Sequence, residues 1–329
     1  MTVADRATRG RGWPMAIAAL VVSATLVAVA RPIAAQHTTS RDTMRAAAVR
    51  VDTAALRRTL DALATSHRGV VGWWVHDLES GATLGTRADE PFPTASLVKV
   101  PIAVAVMERV AQGTLALGDT LVLRDGDKVP GAGVIQHLHD GLTLTVRDAL
   151  YLMLAHSDNT ATNLLLDVVP MRTVNAAMET RGFARTKVHA KVFRGSTTSI
   201  APDSTRKYGL GVSTPSEMGR LFARLAEGAM VSPAADSLLL SLMDENVDGE
   251  LLQREVSGVR APHKTGATDS VRTECALFFL RHRVVACAFT RANADIRWRL
   301  DSEPQRLLGA MGAAVVDAWP RRTRRAGSQ

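Results

Sequence analysis

The sequence predicts an α/β protein: an α+β lobe, with an antiparallel sheet flanked by helices, plus an all-helical lobe. Three observations carry this. Runs rich in β-branched and aromatic residues cluster near 70–86 and again at 260–290. Apolar residues at helical spacing fill much of 96–180. Helix signals flank both strand clusters, so the two ends of the chain are expected to build one lobe around a helical insert. At 329 residues, with 46% apolar and 22% charged residues, there is ample core for one large domain or two lobes.

The first 35 residues read as an export signal. Arg6, Arg9 and Arg11 precede an apolar run from Met15 to Ala30, and Ile33-Ala34-Ala35 offers a small-residue cleavage site before Gln36. The run is shorter than the roughly 20 residues that span a bilayer. An uncleaved signal anchor is the competing reading, and only then would the protein meet the membrane. A periplasmic or secreted protein is expected. Of the net charge of +8, residues 1–35 carry +3 and the arginines of the tail at 320–329 carry +4. The body is therefore close to neutral, which argues against a nucleic-acid footprint.

Residues 36–50 are polar and alanine-rich, a flexible start. From there the α/β lobe is expected over 51–92 and 214–319, and the helical lobe over 93–213. Asp52 can cap a helix that buries Leu56, Leu60 and Leu63, and Gly69 ends it. Val70–Leu78 is a strand, and Ser80-Gly81 turns it into a shorter one near 82–86. A helix runs from about Ser96 to Val110. The stretch 119–141 is loop-rich, with Gly126, Pro130, Gly131, Gly133 and Gly141.

Thr145-Val146-Arg147-Asp148 is a capping box opening a helix that stops at His156-Ser157-Asp158-Asn159, where another begins. Residues 181–213 read as a long irregular surface loop. Helix resumes after Ser213-Thr214-Pro215, with Met218, Leu221, Phe222 and Leu225 as its buried stripe. Two strands, 274–280 and 284–290, and a helix over 303–319 close the chain. They hold the only cysteines, Cys275 and Cys287. Their hairpin register is not determined by the sequence, so a disulfide and a pair of buried thiols both stand open.

The chemistry centres on Pro93-Thr94-Ala95-Ser96-Leu97-Val98-Lys99-Val100-Pro101. Pro101 is comfortable only in a helix's first turn, which places Ser96 at the helix start. Unpaired N–H groups and the positive end of the dipole lie there. Ser96 and Lys99, three residues apart, share a face. A hydroxyl beside an amine at a site that stabilises oxyanions is what acyl transfer needs. Alone, Ser-x-x-Lys is a common sequence and could be a cap before a solvated lysine. Two further motifs change that: Ser157-Asp158-Asn159 at a helix junction and Lys264-Thr265-Gly266 on a strand.

The three motifs in this order resemble the class A β-lactamase family, within the serine β-lactamase and penicillin-binding protein superfamily, across roughly residues 50–319. Thr214-Pro215 before a helix and the Arg272 strand agree with it. The resemblance implies a β-lactamase/transpeptidase-like fold and an acyl-enzyme mechanism without metal or cofactor. It implies Ser96 as nucleophile, Lys99 as its proton acceptor, Ser157 as proton relay, and Lys264 as the cation that lowers the Lys99 pKa and attracts substrate. Asn159 would bind the substrate's side-chain amide and Thr265 its carboxylate. The N–H groups of Ser96 and Ala267 would form the oxyanion hole, and Gly266 would let substrate backbone approach the strand.

One part of the pattern is missing. Class A enzymes carry a deacylating glutamate in a Glu-x-x-Leu-Asn motif on the loop before the Thr-Pro helix. Between Thr180 and Ser216 this chain has no glutamate, and Asp203 is its only carboxylate there. Nothing in the spacing recommends Asp203; His189 is the candidate substitute. The expected function is therefore β-lactam hydrolysis by a monomer. A penicillin-binding D,D-peptidase acting on peptidoglycan stem peptides with slow deacylation is the first alternative, and a non-hydrolytic binder of either ligand the second.

Overall fold

The computed structural model describes residues 51–319. The expected signal, the flexible start and the basic tail lie outside the described residues. The chain begins with α1 (Thr53–Ser66), β1 (Val70–Asp77), β2 (Thr83–Thr86) and β3 (Phe92–Pro93), then α2 (Lys99–Ala111). After β4 (Thr120–Val122) and β5 (Thr143–Thr145) come α3 (Val146–Ala155), α4 (Asn159–Val168) and α5 (Met171–Thr180). The next segment holds β6 (Lys187–Val188), α6 (Gly195–Thr198), α7 (Pro202–Tyr208) and β7 (Gly211–Ser213). The chain ends with α8 (Pro215–Ala226), α9 (Pro233–Asp244), β8 (His263–Thr268), β9 (Val271–Phe279), β10 (Arg283–Arg291) and α10 (Glu303–Ala318).

The main sheet has the order β2-β1-β10-β9-β8 and is antiparallel throughout, joining strands from both ends of the described chain. Both faces are covered, and alternate residues go to different cores. Trp73, Val75, Phe278 and Ala286 pack with α1 and α10 on one face, while Trp74, Leu277, Val285 and Phe289 join the helical core on the other. Fully burying a side chain of this size stabilises by about 1.5–3 kcal/mol. β8 is left at the edge, where its outer backbone groups are unpaired within the sheet.

Two expectations change. The segment 181–213 is not a plain surface loop. It supplies two strands of the small β3-β7-β6 sheet and buries Val188, His189, Ala190 and Val192. α9 went unrecognised in the sequence, and it packs on α2 and α3 as well as on α8, so it sits with the helices rather than only with the sheet. The open cysteine question also closes. The β9–β10 register sets Cys275 opposite Cys287, with Cα atoms 4.1 Å apart, and the two form a disulfide.

Candidate active site

The first motif sits on a tight turn. Residues Ala95–Val98 form a 3₁₀ turn that runs directly into α2, so Ser96 precedes the α-helix by three residues instead of lying in it. Ala95 adopts φ 44°, a left-handed backbone that costs a non-glycine residue energy. The surroundings over-determine the turn. Leu97 N–H donates to the Thr94 carbonyl at 3.1 Å and Thr273 Oγ1 donates to the same oxygen at 2.9 Å. A Cβ on Gly266 would stand 2.3 Å from that oxygen and 2.8 Å from Leu97 N. Gly266 is thus needed for strand β8 to pack behind the serine turn, a contact the sequence did not suggest.

The second motif organises a junction. Ser157 lies just past the C-cap of α3 with φ 53°, and Asp158 caps α4 by accepting from Ala161 N–H at 2.9 Å. The other Asp158 oxygen accepts from Val134 N–H at 2.7 Å and Ile135 N–H at 3.0 Å. The carboxylate therefore ties the glycine-rich loop 130–135 to the junction. Gly133 has room for no side chain there, since its Cβ would fall 2.2 Å from the Asp158 carboxylate. Asn159 reaches the same loop, donating from Nδ2 to the Pro130 carbonyl at 3.0 Å.

Lys99 connects the two. Its side chain is fully buried. Nζ donates to Asn159 Oδ1 at 2.9 Å and to the Ser157 carbonyl, and lies 3.1 Å from Ser157 Oγ. Burial pushes the Lys99 pKa well below its ordinary value, and the nearby Lys264 cation lowers it further, against a smaller opposing pull from Asp158. A neutral amine has two N–H groups and one lone pair. The two carbonyl-type oxygens can take the N–H groups, and the lone pair can accept from the Ser157 hydroxyl. The arrangement can therefore hold and move a proton between Lys99 and Ser157.

Lys264 is equally buried, and its Nζ donates to the Thr265 carbonyl at 2.9 Å. Burial lowers its pKa to about 8, partly opposed by Asp248 and Glu274. Glu274 lies on β9 opposite Thr265, and burial pushes its carboxyl well above the usual range.

Ser96, Ser157, Asn159, Thr265, Gly266 and Ala267 line a single cavity of about 600 Å³, with Lys99 and Lys264 buried and not among its lining residues. Sequence reasoning missed several other walls. Gly131 and Ala132 line it from the glycine-rich loop, which was visible only as a turn signal. Asp248, Asp269, Phe193 and Trp298 also line it, and none carries a local signal. Phe193 and Trp298 are both largely exposed.

Neither the candidate base His189 nor Asp203 lines the cavity. From 181–213 the lining residues are Val192, Phe193 and Leu210, all apolar. His189 is buried, its Nδ1 is 3.4 Å from the Gly209 carbonyl, and burial lowers its pKa. Asp203 is exposed and paired with Arg206. The sequence reading of His189 as a substitute base is corrected on geometry: the ring packs inside the segment and does not line the cavity.

Among the described residues, Asp77, Glu79 and His282 form a group whose ligand atoms cluster. Each is already engaged. His282 Nδ1 and Trp319 Nε1 donate to Asp77 Oδ2 at 2.7 and 3.0 Å, and Arg283 pairs with Glu79 at 2.8 Å.

Comparison with known proteins gives the same direction. The β-lactamase L2 of Stenotrophomonas maltophilia is 29% identical over 222 residues, covering 66% of this chain and 71% of its own. The crystal structure of a β-lactamase from Sphaerobacter thermophilus superposes with a TM-score of 0.71 at 29% identity, covering 82% of this chain and 98% of that one. The structure of PBP-A gives 0.71 at 25% identity, covering 81% and 96%, and a variant of PBP-A is known as an acyl-enzyme complex with penicillin G. The model of the β-lactamase enzyme family matches residues 55–319, and with that match this chain belongs to the β-lactamase enzyme family, as a hydrolase of the serine β-lactamase type.

Proposed function

We propose that the protein opens β-lactam rings through an acyl-enzyme on Ser96. The observation that carries this reading is the fully buried Lys99 amine, held at 3.1 Å from Ser157 Oγ beside the cavity that Ser96 lines. A neutral Lys99 takes the Ser96 proton, directly or through Ser157 or water, as Oγ attacks the ring carbonyl. The C–N bond of the ring then breaks, and Ser157 delivers a proton to the leaving nitrogen. The N–H groups of Ser96 and Ala267 stabilise the oxyanion, Lys264 attracts the substrate, and Asn159 offers its remaining N–H to the substrate's side-chain carbonyl.

The apolar wall of Val192, Phe193 and Leu210 favours a second reading of the turnover step. With no carboxylate or imidazole there to activate water, the acyl-enzyme persists, as in a penicillin-binding D,D-peptidase acting on stem peptides. The basic, apolar and small-residue pattern of the first 35 residues supports export to the periplasm or beyond.

Intact-protein mass spectrometry over time after adding a penicillin tests both. An adduct on Ser96 that clears within seconds supports β-lactamase turnover; one that lasts hours supports the peptidase reading. Ser96→Ala is expected to abolish the adduct, and labelling that persists at another residue would reject the assignment.

A further inference from the structure

Phe193 combines features that the acylation chemistry leaves unused. It is a large aromatic side chain that lines the catalytic cavity, yet 64% of its surface is exposed. Its backbone has φ 54°, the left-handed region that a bulky residue avoids unless its surroundings impose it. Here they do. On one side, Val192 N–H donates to Asn163 Oδ1 at 2.9 Å, and the Val192 carbonyl accepts from Asn163 Nδ2 at 3.0 Å. On the other, Arg194 N–H donates to the Lys191 carbonyl at 3.2 Å, and the Arg194 guanidinium donates to the Gly126 carbonyl.

Held this way, the ring reaches the facing glycine-rich loop. A Cβ on Gly131 would lie 3.1 Å from Phe193 Cε2 and 2.9 Å from Asn159 Nδ2, so ring and amide meet over this glycine. A second cleft of about 390 Å³ adjoins the catalytic cavity, walled in part by Ala190 and Tyr208. Ala95, Phe193, Leu210 and Thr268 line both spaces. Of these four, Phe193 has the largest side chain, and its ring stands at the boundary.

We propose that Phe193 is a specificity-determining residue, a partition that admits β-lactams with a slim acyl side chain and bars branched ones from the second cleft. This inference rests on the Ser96 acyl-enzyme reading, in which Asn159 binds the side-chain amide. The first atoms beyond that amide then meet the Phe193 ring. A methylene passes beside it, whereas a group branched at that point collides with it. Without the ring, the branch gains the space of the adjoining cleft.

The test measures second-order acylation rates with benzylpenicillin and with a penicillin carrying a doubly ortho-substituted benzoyl side chain. It compares the wild type with Phe193→Ala, Phe193→Gly and Phe193→Tyr. The alanine and glycine variants are expected to raise the branched-to-benzyl rate ratio about ten-fold, while Phe193→Tyr, which keeps the ring, holds the wild-type ratio. An unchanged ratio in both ring-less variants, with the adduct still on Ser96, overturns this proposal and leaves the acyl-enzyme reading standing. An equal rise in Phe193→Tyr overturns it as well. Glycine suits the left-handed backbone, so Phe193→Gly serves should the alanine variant not fold. Should neither fold, the wild type decides. A strong preference for benzylpenicillin supports the proposal, and equal rates overturn it. No adduct from either compound in the wild type would overturn the acyl-enzyme reading and this inference together.

Discussion

Lys99 Nζ and Ser157 Oγ stand 3.1 Å apart although 58 residues separate them in the chain. The amine is held by α2 and the hydroxyl by the α3–α4 junction, so the pair exists only when the serine turn and the junction are docked. Their contact joins the first two sequence motifs in space.

Replacing Lys99 by methionine keeps the buried volume and removes the amine. The acylation rate is expected to fall about 10²–10⁴-fold, the usual contribution of a positioned base. Thermal stability should hold or rise, because a buried amine costs solvation that a thioether does not. Stopped-flow acylation and calorimetry on the same sample check both; an unchanged acylation rate would remove Lys99 as the base.

On the proposed Ser96 mechanism, the two lysines are expected to give acylation a bell-shaped pH profile. The rate should rise as Lys99, whose pKa is lowered, loses its proton, and should fall as Lys264 loses its own near pH 8. In Lys264→Arg the upper limb should disappear, since a guanidinium stays protonated. The linked stability has a definite sign. Both amines bind protons less readily folded than unfolded, so between the lowered values and the ordinary one near 10.4 the unfolded chain takes up more protons, and stability from these groups grows as pH rises. Denaturant titrations at pH 7 and 9, compared with Lys99→Met, read this difference.

Gly266→Ala is expected to cut acylation sharply and cost about 1–3 kcal/mol of stability, the range for overpacking. The added methyl would collide with the Thr94 carbonyl that anchors the serine turn. A variant with normal stability and normal acylation would show that the strand and turn can separate freely.

His189→Ala is expected to leave the lifetime of the penicillin adduct unchanged while lowering stability, because the ring is buried and does not line the cavity. A longer-lived adduct measured by mass spectrometry would return His189 to the catalytic machinery.

The comparison between sequence and structure divides along the range of the interactions involved. The strand at 70–77, the Thr145–Asp148 capping box, the restart of helix at Thr214-Pro215 and the buried stripe Met218, Leu221, Phe222 and Leu225 were all legible. Each depends on neighbours within a few residues, through strand or helix period or a side chain closing on its own backbone. The three motifs were legible for the same reason, as short spacings with a chemical meaning.

The sequence by itself determined the chemical inventory: a serine and a lysine at a helix start, a Ser-Asp-Asn junction, a Lys-Thr-Gly strand, and a 181–213 segment without a glutamate. Only the tertiary structure decided how these act on one another. Hairpin register chose a disulfide for Cys275 and Cys287, packing of 181–213 buried His189, and the α9–β8 connection carried Asp248 to the Thr265 hydroxyl. Such contacts are set by how whole elements pack, and no local spacing in the chain encodes which side chains will then be 3 Å apart.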